Sequence, residues 1–228
     1  MFRKILIANR GEIAVRILRA CKMMGIKTVA VHSIVDESLM HVRFADESVC
    51  IGSNKAADSY LNIASILSAA ELTGCDALHP GVGFFSESEK FARMVNGHGI
   101  KFIGPDPKLL SEMGNKILAK KTMMKYGVPV IMGSDGDVQN IDEAKCIANK
   151  IGYPVLFKAA SGGGGRGMKV AHSELEIEDA FKLSKSEARV SFDNDSIYME
   201  RYLKNPKHIE IQIIADSFGN VIHLGERD

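Results

Sequence analysis

Tryptophan is missing from the 228 residues, and cysteine occurs only four times. Cys21, Cys50, Cys75 and Cys146 lie far apart with no C-x-x-C pair, which disfavours a zinc site and fits a reduced compartment; all four are expected in or near the core. An excess of one charge is missing too. The 29 Lys and Arg stand against 28 Asp and Glu, a formal net charge of +1, so there is no broad basic field to hold nucleic acid. Any anion must be held locally. Long apolar runs are also absent: the basic start leads into a run that stops at Asn9 and Arg10, too short for the apolar core of a signal peptide, and nothing approaches the roughly 20 residues of a membrane helix. A cytoplasmic protein without a membrane or nucleic-acid partner is the expectation. Hydrophobic residues at 46% and charged residues at 25% match a soluble globular chain, long enough for one large or two small domains.

What is present is an alternation of short apolar runs with longer amphipathic ones, the mark of β-α-β units around a mostly parallel sheet. Lys4 to Ala8 reads as a strand. Ile13, Ala14, Ile17, Leu18 and Cys21 follow the helical period over Glu12 to Met24, with Gly25 as the stop. Strands follow at Thr28 to Val31, Val49 to Ile51, Ala77 to His79 and Phe102 to Ile103, with a helix from Tyr60 to Leu72 capped by Ser59. The loops Asn9-Arg10-Gly11-Glu12 and His79-Pro80-Gly81-Val82-Gly83 then fall at the carboxyl ends of strands, where doubly wound sheets bind ligands. A long helix from Lys108 to Lys125 is expected to join this domain to a small α+β module. The module reads as helix 141–151, strand 155–159, strand 168–171, helix 174–189 and strand 197–200. From His208, Ile209, Ile211 and Ile213 alternate with Glu210 and Gln212, which predicts a hairpin with one buried face ending in an uncovered sheet edge.

Ser161-Gly162-Gly163-Gly164-Gly165-Arg166-Gly167 is the most informative segment, because glycines let backbone N–H groups turn toward a phosphate. A strand follows it where a dinucleotide fingerprint requires a helix, and Met168 stands where a Walker loop needs Lys. A strand, a glycine loop and a return strand instead make a flap over nucleotide phosphates, against the plainer reading of a flexible linker. Lys158 closes the strand before the flap, where its ammonium can reach a nucleotide. Taken alone, Lys116 reads as a surface lysine, His208 as a surface residue at a strand start, and Glu200 as a satisfied polar group at a strand end.

Four phrases, I-A-N-R-G-E-I-A at 7–14, H-P-G-x-G-F at 79–84, K-A-A-S-G-G-G-G-R-G-M at 158–168 and Y-M-E-R-Y-L at 198–203, together resemble biotin carboxylase, as does N-P-K-H-I-E-I-Q at 205–212 with the closing G-E-R-D. The resemblance spans the whole chain. It implies an α/β ATP-grasp fold: a Rossmann-like pre-ATP-grasp domain with a linking helix at 1–125, a small α+β lid at 129–203, and at 204–228 the first hairpin of a truncated large subdomain. It also implies a ligase reaction in which ATP, with Mg2+, phosphorylates bicarbonate to carboxyphosphate, and biotin on a biotin carboxyl carrier protein takes up the carbon dioxide. A carboxyltransferase partner and a homodimeric parent come with that resemblance, as in the acetyl-CoA carboxylase of fatty acid biosynthesis; the final acceptor is not legible. By motif, Lys116 and Lys158 resemble phosphate-contacting lysines, Gly164 and Gly165 the flap backbone, Glu200, Arg201, Tyr202 and Leu203 the strand and hinge at the adenine edge, and His208 a nucleotide-contacting histidine. Val82 stands where the family's loop has an aromatic. The family's metal-binding glutamates, bicarbonate-binding residues and general base fall beyond the equivalent of Asp228, so the chain alone is expected not to complete the reaction. Another ATP-grasp ligase, such as a carbamoyl phosphate synthetase half, and a non-catalytic nucleotide-binding or assembly module remain as alternatives.

Overall fold

The runs Lys4-Ile5-Leu6-Ile7 and Thr28-Val29-Ala30-Val31 are apolar on both faces, as strands covered on both sides must be. In the computed structural model, which describes residues 1–160 and 167–228, they lie at the middle of a five-stranded sheet. Its elements are β1 (Lys4–Ile7), α1 (Gly11–Met23), β2 (Lys27–Ser33), α2 (Met40–Phe44), β3 (Glu47–Gly52), α3 (Ile63–Leu72), β4 (Ala77–His79), α4 (Glu89–Gly97), β5 (Lys101–Phe102), α5 (Pro107–Gly114) and α6 (Lys116–Lys125). The strand order is β3-β2-β1-β4-β5, and every pairing is parallel. Ile5, Ile7 and Ala77 pack with Ala14, Ile17, Leu18 and Cys21 of α1, whereas Leu6, Val29 and Leu78 pack with Ile66, Ala70, Phe91 and Val95 of α3 and α4. Helices on both faces of a parallel sheet make a doubly wound α/β layer structure.

Three local expectations are corrected. The 60–72 helix begins only at Ile63, because Asn62 and not Ser59 caps it: the Asn62 side chain accepts the N–H of Ser65, and Tyr60 is drawn into the core. The single helix over 108–125 is two. Asn115 takes an extended conformation and its Oδ1 accepts the N–H groups of Ile117 and Leu118, restarting the chain as α6 with Lys116 as its first residue. Cys21 and Cys75 are buried, but Cys50 and Cys146 are exposed, the first on edge strand β3 and the second on the outer side of a helix that buries Ala144, Ala148 and Ile151.

The chain divides into two units, Met1–Thr122 and Met123–Asp228. The second holds α7 (Ile141–Ile151), β6 (Val155–Ala159), β7 (Lys169–Ala171), α8 (Ile177–Phe192), β8 (Ile197–Arg201), β9 (Glu210–Ala215) and β10 (Val221–Arg227). β6 lies between β7 and β8, antiparallel to both. Val155, Phe157, Ala159, Ile197 and Met199 face Ala144, Ala148, Ile177 and Phe181 of the two helices. β9 and β10 form their own two-stranded sheet, and the expected buried face is not found. Ile211, Ile213, Ile214, Ile222 and Leu224 are all exposed, since among the described residues no third strand pairs with the hairpin and no element covers either of its sides.

Candidate functional site

Alternation along β6 and β8 sorts their side chains by face. With Val155, Phe157, Ala159, Ile197 and Met199 turned to the helices, Leu156, Lys158, Tyr198 and Glu200 are left on the opposite face. The register pairs Lys158 with Tyr198 and Leu156 with Glu200, so Lys158 and Glu200 are diagonal neighbours. Their side chains form an ion pair, Lys158 Nζ to Glu200 Oε1, with Glu200 8% exposed and Lys158 25%. Tyr198 is buried beside them; burial and the Glu200 charge push its hydroxyl pKa up, so it stays protonated. Two residues that sequence reasoning placed on one strand and at another's end are thus brought together. Tyr198 was not singled out, although a period-two reading of 197–200 puts it on the face of Glu200.

The segment after β8 is fixed by its backbone. Ser134 N–H donates to Met199 O at 2.8 Å, Arg201 N–H to Met132 O at 2.8 Å and Tyr202 N–H to Pro154 O at 3.0 Å. The Arg201, Leu203 and His208 side chains are exposed. Gly164 and Gly165 lie outside the described residues. At the end of that loop Gly167 has φ +70, its N–H meets Glu187 Oε2 at 3.2 Å, and Ser184 Oγ donates to its carbonyl at 3.2 Å. Lys169 points to the helix side and pairs with Glu187 at 2.5 Å, so it does not share the face of Lys158. Lys116, partly buried at the start of α6, belongs to the first unit.

In the first unit the strand order reverses between β1 and β4, where open α/β sheets take ligands. Beside it, the segments that follow β1, β2 and β3 are tied to one another. Asp36, 4% exposed, accepts from Arg10 Nη2 at 2.9 Å, Ser33 Oγ at 3.0 Å and Tyr60 Oη at 2.7 Å. Burial and that bond push the Tyr60 hydroxyl up to about 12. Arg10 lies over the Tyr60 ring, 5.5 Å from its centroid, and Phe84 stacks on the same ring at 5.2 Å. The acidic residue after β2 that a dinucleotide-binding domain would offer to a ribose is therefore occupied by Arg10. Among the described residues no group of three His, Cys, Asp or Glu side chains could hold a metal ion, and no helix is long and apolar enough to cross a membrane. The magnesium expected with a nucleotide thus finds no ligand set among the described residues.

The chain resembles known proteins over its whole length. Residues 1–110 match the family model described as biotin carboxylase, N-terminal domain, and residues 115–228 the one described as carbamoyl-phosphate synthase L chain, ATP binding domain. The chain is 56% identical over 229 residues to a biotin carboxylase of Haemophilus influenzae, covering 100% of this chain and 51% of that protein. Among solved structures, the biotin carboxylase of Campylobacter jejuni in complex with β,γ-ATP superposes with a TM-score of 0.96 at 50% identity, over 99% of this chain and 51% of that one. The biotin carboxylase domain dimer of Hydrogenobacter thermophilus 2-oxoglutarate carboxylase, with MgADP, ADP and bicarbonate, gives 0.94 at 48% identity, over 99% and 50%. The chain spans about half the length of the curated relatives it matches.

Proposed function

Because the chain belongs to the biotin carboxylase family, we propose that it supplies nucleotide-binding machinery to an ATP- and bicarbonate-dependent ligase that carboxylates biotin on a carrier protein. The observation that carries this reading is the Lys158–Glu200 pair on the face of the small sheet that its helices leave free. A lysine ammonium held at a dry strand end is suited to the charge that phosphoryl transfer gathers on oxygen. Glu200 supplies an acceptor for an exocyclic amine, as adenine has, and would repel a carbonyl at the same place. Of the three N–H groups at 201–203, those of Arg201 and Tyr202 are given to Met132 and Pro154, so Leu203 is the one whose N–H suits a base edge. Lys116, the flap glycines Gly164 and Gly165, and His208 take the family's phosphate and nucleotide contacts by motif. In this reading residues 1–125 are the pre-domain, 129–203 the lid and 204–228 the opening of the large subdomain.

Magnesium would accompany the nucleotide and offset its phosphate charge; the described residues do not hold it, and no step is assigned to it. Residues equivalent to the second half of the relatives complete the bicarbonate and metal sites. The carrier protein and a carboxyltransferase are the partners, a dimer is the assembly and the cytoplasm the compartment. The final acceptor is left open, because the family includes a 2-oxoglutarate carboxylase. The match of 1–110 favours biotin carboxylase over other ATP-grasp ligases.

The test is ADP binding by this chain, followed by bicarbonate-dependent ATP hydrolysis with free biotin, for the chain alone and for a version completed to the relatives' length with the second half of the Haemophilus influenzae protein. Binding by the chain with carboxylation only in the completed version is expected. Hydrolysis that needs a different acceptor would overturn the reading.

A further inference from the structure

Ser184 and Glu187 stand one turn apart on α8 and so share one of its faces. Both side chains are spent on the backbone of a single residue, Gly167: Glu187 Oε2 accepts its N–H at 3.2 Å, and Ser184 Oγ donates to its carbonyl at 3.2 Å. Ser184 is fully buried, where a hydroxyl without a partner is costly. The other oxygen of Glu187, Oε1, pairs with Lys169 at 2.5 Å, and that pairing holds its carboxyl below the usual carboxylate range. Gly167 itself has φ +70, a left-handed backbone that glycine takes without strain, and Ala159 Cβ lies 3.3 Å from where a Cβ would stand.

The paired register of β6 and β7 ends at Phe157 and Lys169. Gly167 lies beyond that last pair, so the ladder does not hold it and α8 does. At the other end of the same connection, Ala160 N–H donates to Ser196 O at 2.9 Å, just before β8 begins. The connection between β6 and β7 is thus tied at both ends. Backbone N–H groups bind a phosphate well only when they are oriented before it arrives, because ordering them on binding subtracts from affinity. We propose that Ser184 and Glu187 are positioning residues for the nucleotide's phosphates: from α8 they fix the backbone at Gly167, where the chain enters β7, and so set affinity for the charged part of the nucleotide and not for its base. The proposal rests on the reading of Gly164 and Gly165, which closely precede Gly167 in the chain, as phosphate contacts.

The test compares ADP with adenosine, which lacks the phosphates, by calorimetric titration of this chain and its variants. The parent should bind ADP more tightly than adenosine. Ser184→Ala and Glu187→Ala should each weaken ADP by about fivefold to tenfold, the scale of one lost hydrogen bond, with adenosine unchanged. Glu187→Gln keeps the size but has a single oxygen for two donors, and should fall between the parent and Glu187→Ala. Amide exchange at Gly167 should speed up in Glu187→Ala. Unchanged exchange there would overturn the clamp. Faster exchange with an unchanged ratio of ADP to adenosine affinity, or an equal loss of both ligands, would overturn the positioning role. A parent that binds ADP no better than adenosine would remove the phosphate reading of the glycines, and the proposal with it.

Discussion

Lys158→Met should destabilise the second unit by about 2–3 kcal/mol while leaving its packing intact. Methionine keeps most of the apolar stem and removes the ammonium, so Glu200, 8% exposed, is left as a carboxylate without its counter-ion. Breaking a buried pair from one side costs roughly 3–5 kcal/mol. The 25% exposure of Lys158 lets water screen the pair and brings the figure down. For a unit of this size each kcal/mol moves the midpoint by about 4–8 °C, so a fall of roughly 10–20 °C is expected in thermal melts. Lys158→Met with Glu200→Gln removes both charges and should return to within about 1 kcal/mol of the parent. Repeating the melts with ADP adds a functional arm. At a hundredfold excess over Kd the parent should gain about 2.7 kcal/mol, and either Lys158 variant should lose most of that gain. Additive losses in the double variant would refute the idea that Glu200 needs Lys158 as its counter-ion. A variant that melts early but keeps the full ADP gain would refute the nucleotide role of Lys158.

Two further outcomes concern the first unit. Tyr60→Phe removes the 2.7 Å bond to Asp36 and the acceptor of the Ser33 N–H at 3.1 Å, both buried, and should cost about 2 kcal/mol in urea denaturation. The pH dependence follows from His41, which is fully buried, with Nε2 at 3.3 Å from Val31 O and Nδ1 without a hydrogen-bond partner among the described residues. Burial lowers its pKa, against the opposing pull of the Val31 carbonyl and Asp36, while His32 and Arg10 push the same way as burial. A histidine with a lowered folded pKa leaves the unfolded chain holding more protons below the ordinary value of about 6.5, so stability is intact above that pH and declines as pH falls through the window beneath it. His79, lowered by burial, adds to the same slope. Asp46 and Asp76, held below the carboxylate range, act at lower pH. Urea midpoints should therefore drop as pH falls from about 6.5 toward 5, and His41→Phe should flatten that drop; an unchanged slope in the variant would assign it elsewhere.

Elements that bury an apolar pattern were legible. The periodicity of Ile13, Ala14, Ile17 and Leu18 is the face that packs on Ile5 and Ile7, and the two-residue period of β6 and β8 is the face under α7 and α8. Elements set by a polar cap or by a short span were not. α3 begins at Asn62 and α6 at Asn115 because those side chains meet orphan N–H groups, a local hydrogen-bond choice that the apolar pattern does not record. α2 and α4 escaped notice, one being a single turn and the other having only Phe91, Ala92 and Val95 to bury. The hairpin was read correctly as a hairpin and wrongly as half-buried, because alternation specifies two faces but not that a neighbour covers one of them.

Glu200 and Asp36 show what sequence could not separate. Each is a nearly buried acid at the end of a strand or just beyond one, and each is paired with a basic residue. A carboxylate has room for about four hydrogen bonds. Asp36 receives three side-chain donors from Arg10, Ser33 and Tyr60 and is a structural centre, whereas Glu200 is paired with Lys158 on the sheet face away from α7 and α8. Placement, not burial or charge, therefore distinguishes the two acids: Asp36 ties together the segments that follow β1, β2 and β3, whereas Glu200 stands with Lys158 on the sheet face away from α7 and α8, where the proposed nucleotide would meet them.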